Sequence, residues 1–219
     1  MTARTFYRAL DLLVGCIVCS SRLMKATFAL LANREVHNFV RKLTWDLHRR
    51  YRVGVDIARL PPHISLKQPF PVQDLDALET CMDEFGGNIR PCEVHLVQLQ
   101  LVKTAIDNWE TGILWIDVQE TPYLRELHQQ LNRELAARFE NTQAPFDGEN
   151  YHFHMSVAIG SQSWEVYQRL FKDIAGTPID LRFIARELAL FVYDDSPSLG
   201  AGYMTYKVLL ITGEQCMSP

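Results

Sequence analysis

Two short runs in the sequence carry the residue types that phosphoryl chemistry uses. The first is His63-Ile64-Ser65-Leu66 and the second is His154-Met155-Ser156-Val157, 91 positions later. Each sets an imidazole two residues before a hydroxyl, with apolar residues at the second and fourth places. In an extended strand, residues i and i+2 share a face. His63 and Ser65 should therefore point one way and Ile64 and Leu66 the other, with the same split at the second copy. Histidine titrates near neutral pH, so one ring can be protonated while its partner is neutral. Such a pair can take a proton from water and give one to a leaving oxygen. The two hydroxyls can donate to non-bridging phosphate oxygens as charge builds on them. This scheme calls for no metal ion and no cofactor. A single His-x-Ser carries no information, but two copies in matching surroundings are hard to obtain by accident.

The elements that must position these residues alternate between strand and helix. Residues 26–33 read as a buried strand, and 34–51 as a helix from the spacing of Val36, Phe39, Val40, Leu43 and Leu47. A short strand over 61–70 carries the first motif, and a helix over 72–87 is expected to stop at Gly86 and Gly87. Strands over 92–104 and 111–119 follow, joined by a turn around Asp107 and Asn108. The order then repeats. A helix over 121–139 has Thr121 as its cap and Pro122 at its first position. A strand over 151–160 carries the second motif and ends at Gly160, and a helix over 163–176 is capped by Ser163. Strands over 179–193 and 203–213 close the chain around a turn-rich loop at 194–202. The expected fold class is α+β: two pseudo-symmetric lobes of mostly antiparallel sheet, with outer helices around a central cleft.

Composition bounds the partners. The chain has 219 residues with a formal net charge of −4, 47% hydrophobic and 22% charged, which suits a globular core. It lacks the basic field of a duplex-binding protein, so no duplex DNA partner and no membrane partner is expected. Cys16, Cys19, Cys81, Cys92 and Cys216 are odd in number and irregularly spaced, which argues against a disulfide framework and for a reducing cytoplasm. Cys16 and Cys19 form an isolated C-x-x-C, a weak metal signal. The apolar run "LLVGCIVC" is interrupted upstream by Asp11 and is too short to span a bilayer. Residues 1–25 are read as an extension outside a single domain over 26–213, and the protein as a monomer.

The segments "PHISLKQPF" and "FHMSVAIG" resemble the paired His-x-(Ser/Thr)-x motifs of the 2H phosphoesterase superfamily, in its 2′-5′ RNA ligase-like (LigT-like) branch. The proline before His63 and the K-x-P-F after Ser65 are similar as well, and the resemblance spans roughly residues 26–213. It implies a bilobal fold with a central cleft that opens 2′,3′-cyclic phosphates of RNA ends or small nucleotides, leaving a 2′-phosphate. It implies His63 as proton donor to the leaving 3′-oxygen, His154 as the base that activates water, and Ser65 and Ser156 as the phosphate holders. Some relatives join or cut 2′-5′ linkages, so ligase or exonuclease work on oligonucleotides stands as an alternative, as does a non-catalytic nucleotide-binding module. Members that act on tRNA ends often carry a basic residue soon after the second motif. "HMSVAIGSQ" has none, which favours a small substrate.

Other residues are weighed by position. Lys67 lies two past Ser65 and by strand periodicity could share the cleft face and hold phosphate. Tyr206, with Tyr203 and Phe70, could offer a stacking face for a base. His152 lies two before His154 and is read as a supporting or surface residue rather than a metal ligand. His37, His48, His95 and His128 are read as structural or surface residues.

Overall fold

A computed structural model of the protein describes residues 24–106, 108–194 and 202–213. Cys16, Cys19 and the N-terminal extension lie outside the described residues, as does most of the predicted loop at 194–202.

The first half runs β1 (Met24–Leu31), α1 (Arg34–Tyr51), a short 3₁₀ turn (Asp56–Arg59), β2 (His63–Ser65), β3 (Phe70–Val72), α2 (Leu75–Asn88) and β4 (Cys92–Ile106). The second runs β5 (Trp109–Val118), α3 (Pro122–Arg138), β6 (His154–Ile159), α4 (Trp164–Ile174), β7 (Leu181–Ala185), β8 (Glu187–Asp194) and β9 (Gly202–Leu210). Two antiparallel sheets result. One has the order β2-β1-β8-β9, with β3 also on β1, and the other β6-β5-β4-β7. This is the two-lobed α+β architecture that the sequence implied.

The lobes are not independent. β4 belongs to the first half but pairs with β5 and β7, and β8 belongs to the second half but pairs with β1. The first sheet therefore takes β8 and β9 from the second half and the second takes β4 from the first, and neither half builds its sheet alone.

Local chemistry explains the helices. Asn33 caps α1 by accepting from the Val36 amide at 2.9 Å, and the apolar stripe buries Val36, Val40 and Leu47, with Thr44 in the same row. Thr121 caps α3 by accepting from Leu124 N at 3.1 Å, with proline at the helix start. Ser163 stands at the cap of α4 but makes no capping bond to the backbone; its hydroxyl serves Glu165 instead.

Three expectations about elements need correction. α2 continues through Gly86 and Gly87 to Asn88. Gly86 is buried where a Cβ would come within 2.2 Å of the Leu209 side chain, so it permits close packing on β9 rather than ending the helix. The predicted strand 179–193 is two strands: residues 181–185 pair with β4, and residues 187–194 pair with β1 and β9. The chain changes sheets at Arg186, where the exposed pair Arg186-Glu187 interrupts the run of alternating and buried residues. The predicted strand 61–70 is likewise split into β2 and β3, both on β1.

Among the described residues no helix is long and apolar enough to cross a membrane. β6 ends where Gly160 turns to φ +64°, a conformation that favours glycine. The Gly160 amide donates to Gly112 O at 3.1 Å, and the Tyr167 hydroxyl donates to Gly160 O at 2.9 Å. Gly112 lies under Tyr167 so closely that a Cβ would sit 2.4 Å from the ring. Gly112→Ala should thus overpack this junction and cost about 1–3 kcal/mol, read as a lower midpoint in denaturant unfolding with unchanged slope.

Candidate active site

The two motif strands occupy matched edge positions. β2 lies on β1 with Ser65 opposite Ala29 and His63 opposite Leu31. β6 lies on β5 with Ser156 opposite Trp115 and His154 opposite Asp117. Ile64, Met155 and Val157 are buried, while His63, Ser65, His154 and Ser156 are half-buried on the other face.

Each imidazole is fixed in the same way. His63 Nδ1 lies 2.8 Å from Pro61 O, and His154 Nδ1 lies 3.0 Å from His152 O. A carbonyl can only accept, so Nδ1 carries the hydrogen and Nε2 presents its lone pair. The residue between is spoken for by the sheet in both cases: Ala32 N donates to Pro62 O at 3.0 Å, and Val118 N donates to Phe153 O at 3.2 Å. Neither Nε2 has a partner among the described residues, nor does the Ser65 or Ser156 hydroxyl, and no buried side-chain nitrogen or oxygen is left unpaired. These four polar atoms are therefore open to solvent. A cavity of about 460 Å³ is lined by His63, Ser65 and Ser156 together with Gln68, Tyr193 and Tyr203.

The strands are held from behind by the opposite half. Thr44 of α1 donates its hydroxyl to Val157 O at 2.9 Å. His128 of α3 donates Nδ1–H to Leu66 O at 2.8 Å and accepts from Gly148 N at 3.0 Å through Nε2. Leu66 and Val157 are the fourth residues of the two motifs, so each half braces the other's motif at the same place. Tyr151 adds a bond from its hydroxyl to Ser65 O at 2.9 Å.

Burial makes both imidazoles weak bases. It pushes His63 down to about 4, helped by the His154 ring and the Arg41 guanidinium and opposed by the Pro61 carbonyl. His154 is also lowered, by burial first. The His152 carbonyl opposes this, the His152 ring adds to it, and the Asp117 carboxylate counteracts it. Both rings are neutral near pH 7 in the free protein, and an arriving anion favours uptake of the missing proton.

The structure relocates several predicted site residues. Lys67 is not on the cleft wall. The chain bends after Ser65, so the alternation that would have kept the two on one face has ended. The Lys67 side chain is buried and ion-paired with Asp147, which also accepts from Gln68 N and Ala144 N. Tyr206 is the extra residue of a bulge in the β8–β9 register, and its hydroxyl donates to Glu79 Oε2 of α2 at 3.2 Å, away from the cleft. Phe70 is fully buried. Tyr203 does line the cavity, with Tyr193 beside it. His152 supports His154 through its carbonyl, and its ring donates to Asp117 Oδ1 at 2.9 Å. Among the described residues, no three His, Cys, Asp or Glu side chains converge as a metal would require. Trp115, Asp117, Tyr193 and Thr44 escaped the sequence reading, and His128 has the structural role that was one of its two expected places. The i, i+2 pair Trp115 and Asp117 beside the second motif was the only available signal, and it has meaning only once the β5–β6 register is known.

The exchange-linked pair of antiparallel lobes, each presenting a His-x-Ser strand to one cleft, defines the 2H phosphoesterase class. The model of the 2′-5′ RNA ligase superfamily matches residues 33–197, and the chain belongs to that family. Curated proteins of Staphylococcus aureus strains JH1 and MRSA252, named "Putative phosphoesterase", are 25% identical over 162 residues, covering 73% of this chain and 88% of theirs. Among solved structures, TT0787 of Thermus thermophilus shares 13% identity with a TM-score of 0.52. It aligns over 87% of this chain and 99% of its own. Escherichia coli LigT complexed with 3′-AMP gives 13% identity, a TM-score of 0.51 and the same coverage. At these identities the structural likeness is one of fold.

The location of Lys67 can be tested. Lys67→Met should leave Asp147 without its cation and cost about 3 kcal/mol, the low end for a broken buried pair, because two backbone amides remain. KM for a phosphodiester substrate should stay within about twofold, because the ammonium is off the cleft wall. A large rise in KM at unchanged stability would return Lys67 to the phosphate.

Proposed function

We propose that the protein hydrolyses a 2′,3′-cyclic phosphate, of a small nucleotide or an RNA end, to a 2′-phosphate without a metal ion. The observation that carries this reading is the set of four open polar atoms: two Nε2 lone pairs and two hydroxyls on facing motif strands.

The reaction balances with these groups alone. His154 Nε2 takes a proton from water as the water oxygen bonds to phosphorus. The bond from phosphorus to the 3′-oxygen breaks, and His63 Nε2–H gives that oxygen its proton. Ser65 and Ser156 donate to the non-bridging oxygens, where charge accumulates. A proton returns from His154 to His63 through solvent before the next turnover. Tyr193 and Tyr203, packed edge to face at 5.7 Å, give the wall an aromatic surface for a base. LigT has been crystallised with 3′-AMP, which supports a nucleotide as occupant of this fold's cleft.

Two measurements test the reading. In EDTA the protein should open a 2′,3′-cyclic nucleotide, with phosphorus NMR showing the 2′-phosphate. His63→Ala and His154→Ala should each lower kcat at least about 10²-fold, and full activity in either mutant would remove the pair from the mechanism. The pH profile follows from the lowered histidines. The productive form needs one proton on the pair, and above both titrations that form falls tenfold per pH unit. The alkaline limb of kcat/KM should therefore begin below pH 6.5. The limb in kcat should lie at higher pH, because bound phosphate raises the acid's affinity for its proton.

A further inference from the structure

The two histidines share a backbone arrangement but not an environment, and the difference falls at matched positions. Opposite His63 and Ser65 stand Leu31 and Ala29; opposite His154 and Ser156 stand Asp117 and Trp115. The Trp115 ring lies against His154 with centroids 4.4 Å apart and planes at 28°. Asp117 is buried and holds that indole, accepting from Trp115 Nε1–H at 2.7 Å through Oδ1. Its Oδ2 accepts from Gln98 at 3.0 Å, and Oδ1 also accepts from His152 Nε2–H at 2.9 Å. Among the described residues His63 has no such device: Phe191 of β8 meets it edge-on at 4.6 Å, and the charged groups acting on it are the His154 ring and the Arg41 guanidinium.

We propose that Asp117, acting through Trp115, is a positioning residue for His154, holding its ring for proton abstraction from water and stabilising the imidazolium that results. This rests on the acid–base reading of the pair given above. The indole is a flat stop that leaves His154 one rotation, already pinned at Nδ1, so Nε2 keeps a single direction. The carboxylate behind the indole supplies the negative charge that a base needs once it has accepted a proton, as in hydrolases where a buried aspartate orients a histidine. The first lobe, with leucine and alanine at these places, leaves His63 without that support. A protonated His63 is thus quick to release its proton, which suits the acid. The charged groups facing His154 are His152, ahead of β6, Asp117 on β5 and His63 on β2. Glu120, ion-paired with Arg125, faces His152.

The competing explanation is that Asp117 merely satisfies Trp115 and Gln98. NMR titration of the His154 ring in substrate-free protein separates the two and needs no activity. Asp117→Asn, which keeps the shape and an acceptor, should lower the His154 midpoint. His152→Gln removes a like charge and should raise it whichever role Asp117 has, so it serves as the control for the neighbouring ring. A structural role alone leaves the midpoint unmoved in Asp117→Asn. With a 2′,3′-cyclic nucleotide, Asp117→Asn should lose at least about tenfold in kcat with KM within twofold. Trp115→Phe, which keeps a stacked ring without the N–H, should lose less. An unmoved His154 midpoint in Asp117→Asn overturns the proposal. If Asp117→Asn does not fold, Trp115→Phe, which breaks the bond from the indole to Asp117, decides by whether the His154 midpoint falls. If the midpoints move but the wild-type protein opens no cyclic phosphate, the proposed reaction fails and the positioning role stands.

Discussion

The site depends on one hydrogen bond made twice: an imidazole Nδ1–H donated to the carbonyl two residues earlier. The bond fixes the tautomer, and with it the atom that faces the cleft. It is available because the intervening residue has its own carbonyl engaged by the neighbouring strand, Pro62 by Ala32 and Phe153 by Val118. The strand ladder and the ring orientation are thus set by the same few residues, and a slip of one position would turn both histidines and both serines into the core.

The second constraint is exchange between halves. The first half gives β4 to the other's sheet and the second gives β8 and β9, and each sends a helix side chain, Thr44 or His128, to the carbonyl after the other's motif serine. The cleft is therefore built by contacts that exist only when both halves are folded. Local unfolding of either helix would release a backbone acceptor on the opposite motif strand, so the stability of the fold and the geometry of the site are coupled. The buried Lys67–Asp147 pair belongs to this framework: it ties the segment after the first motif to the segment that leads into the second.

The scaffold repeats one arrangement twice, whereas the proposed reaction is asymmetric. In it acid and base act on one phosphorus, so one must hold a proton when the other lacks it. Backbone geometry cannot make that distinction, since both lobes repeat it. The distinction lies in what stands opposite each motif: leucine and alanine in one lobe, aspartate and tryptophan in the other.

Much of this was legible in the sequence. Strict i, i+2 alternation in His63-Ile64-Ser65-Leu66 and His154-Met155-Ser156-Val157 determined which atoms leave the core, because a strand has only two faces. Helix positions followed from apolar spacing and, for α3, from the cap at Thr121. Lys67 and Tyr206 were misplaced because alternation stops at a bend and shifts at a bulge, and neither leaves a mark in residue type. The strand exchange at Arg186 was read through because strand-like apolar residues flank the charged pair Arg186-Glu187 on both sides. The motif pair was determined by local covalent geometry, which the sequence carries. The environment of each histidine was decided by register and packing between segments distant in the chain, which only the tertiary structure brings together.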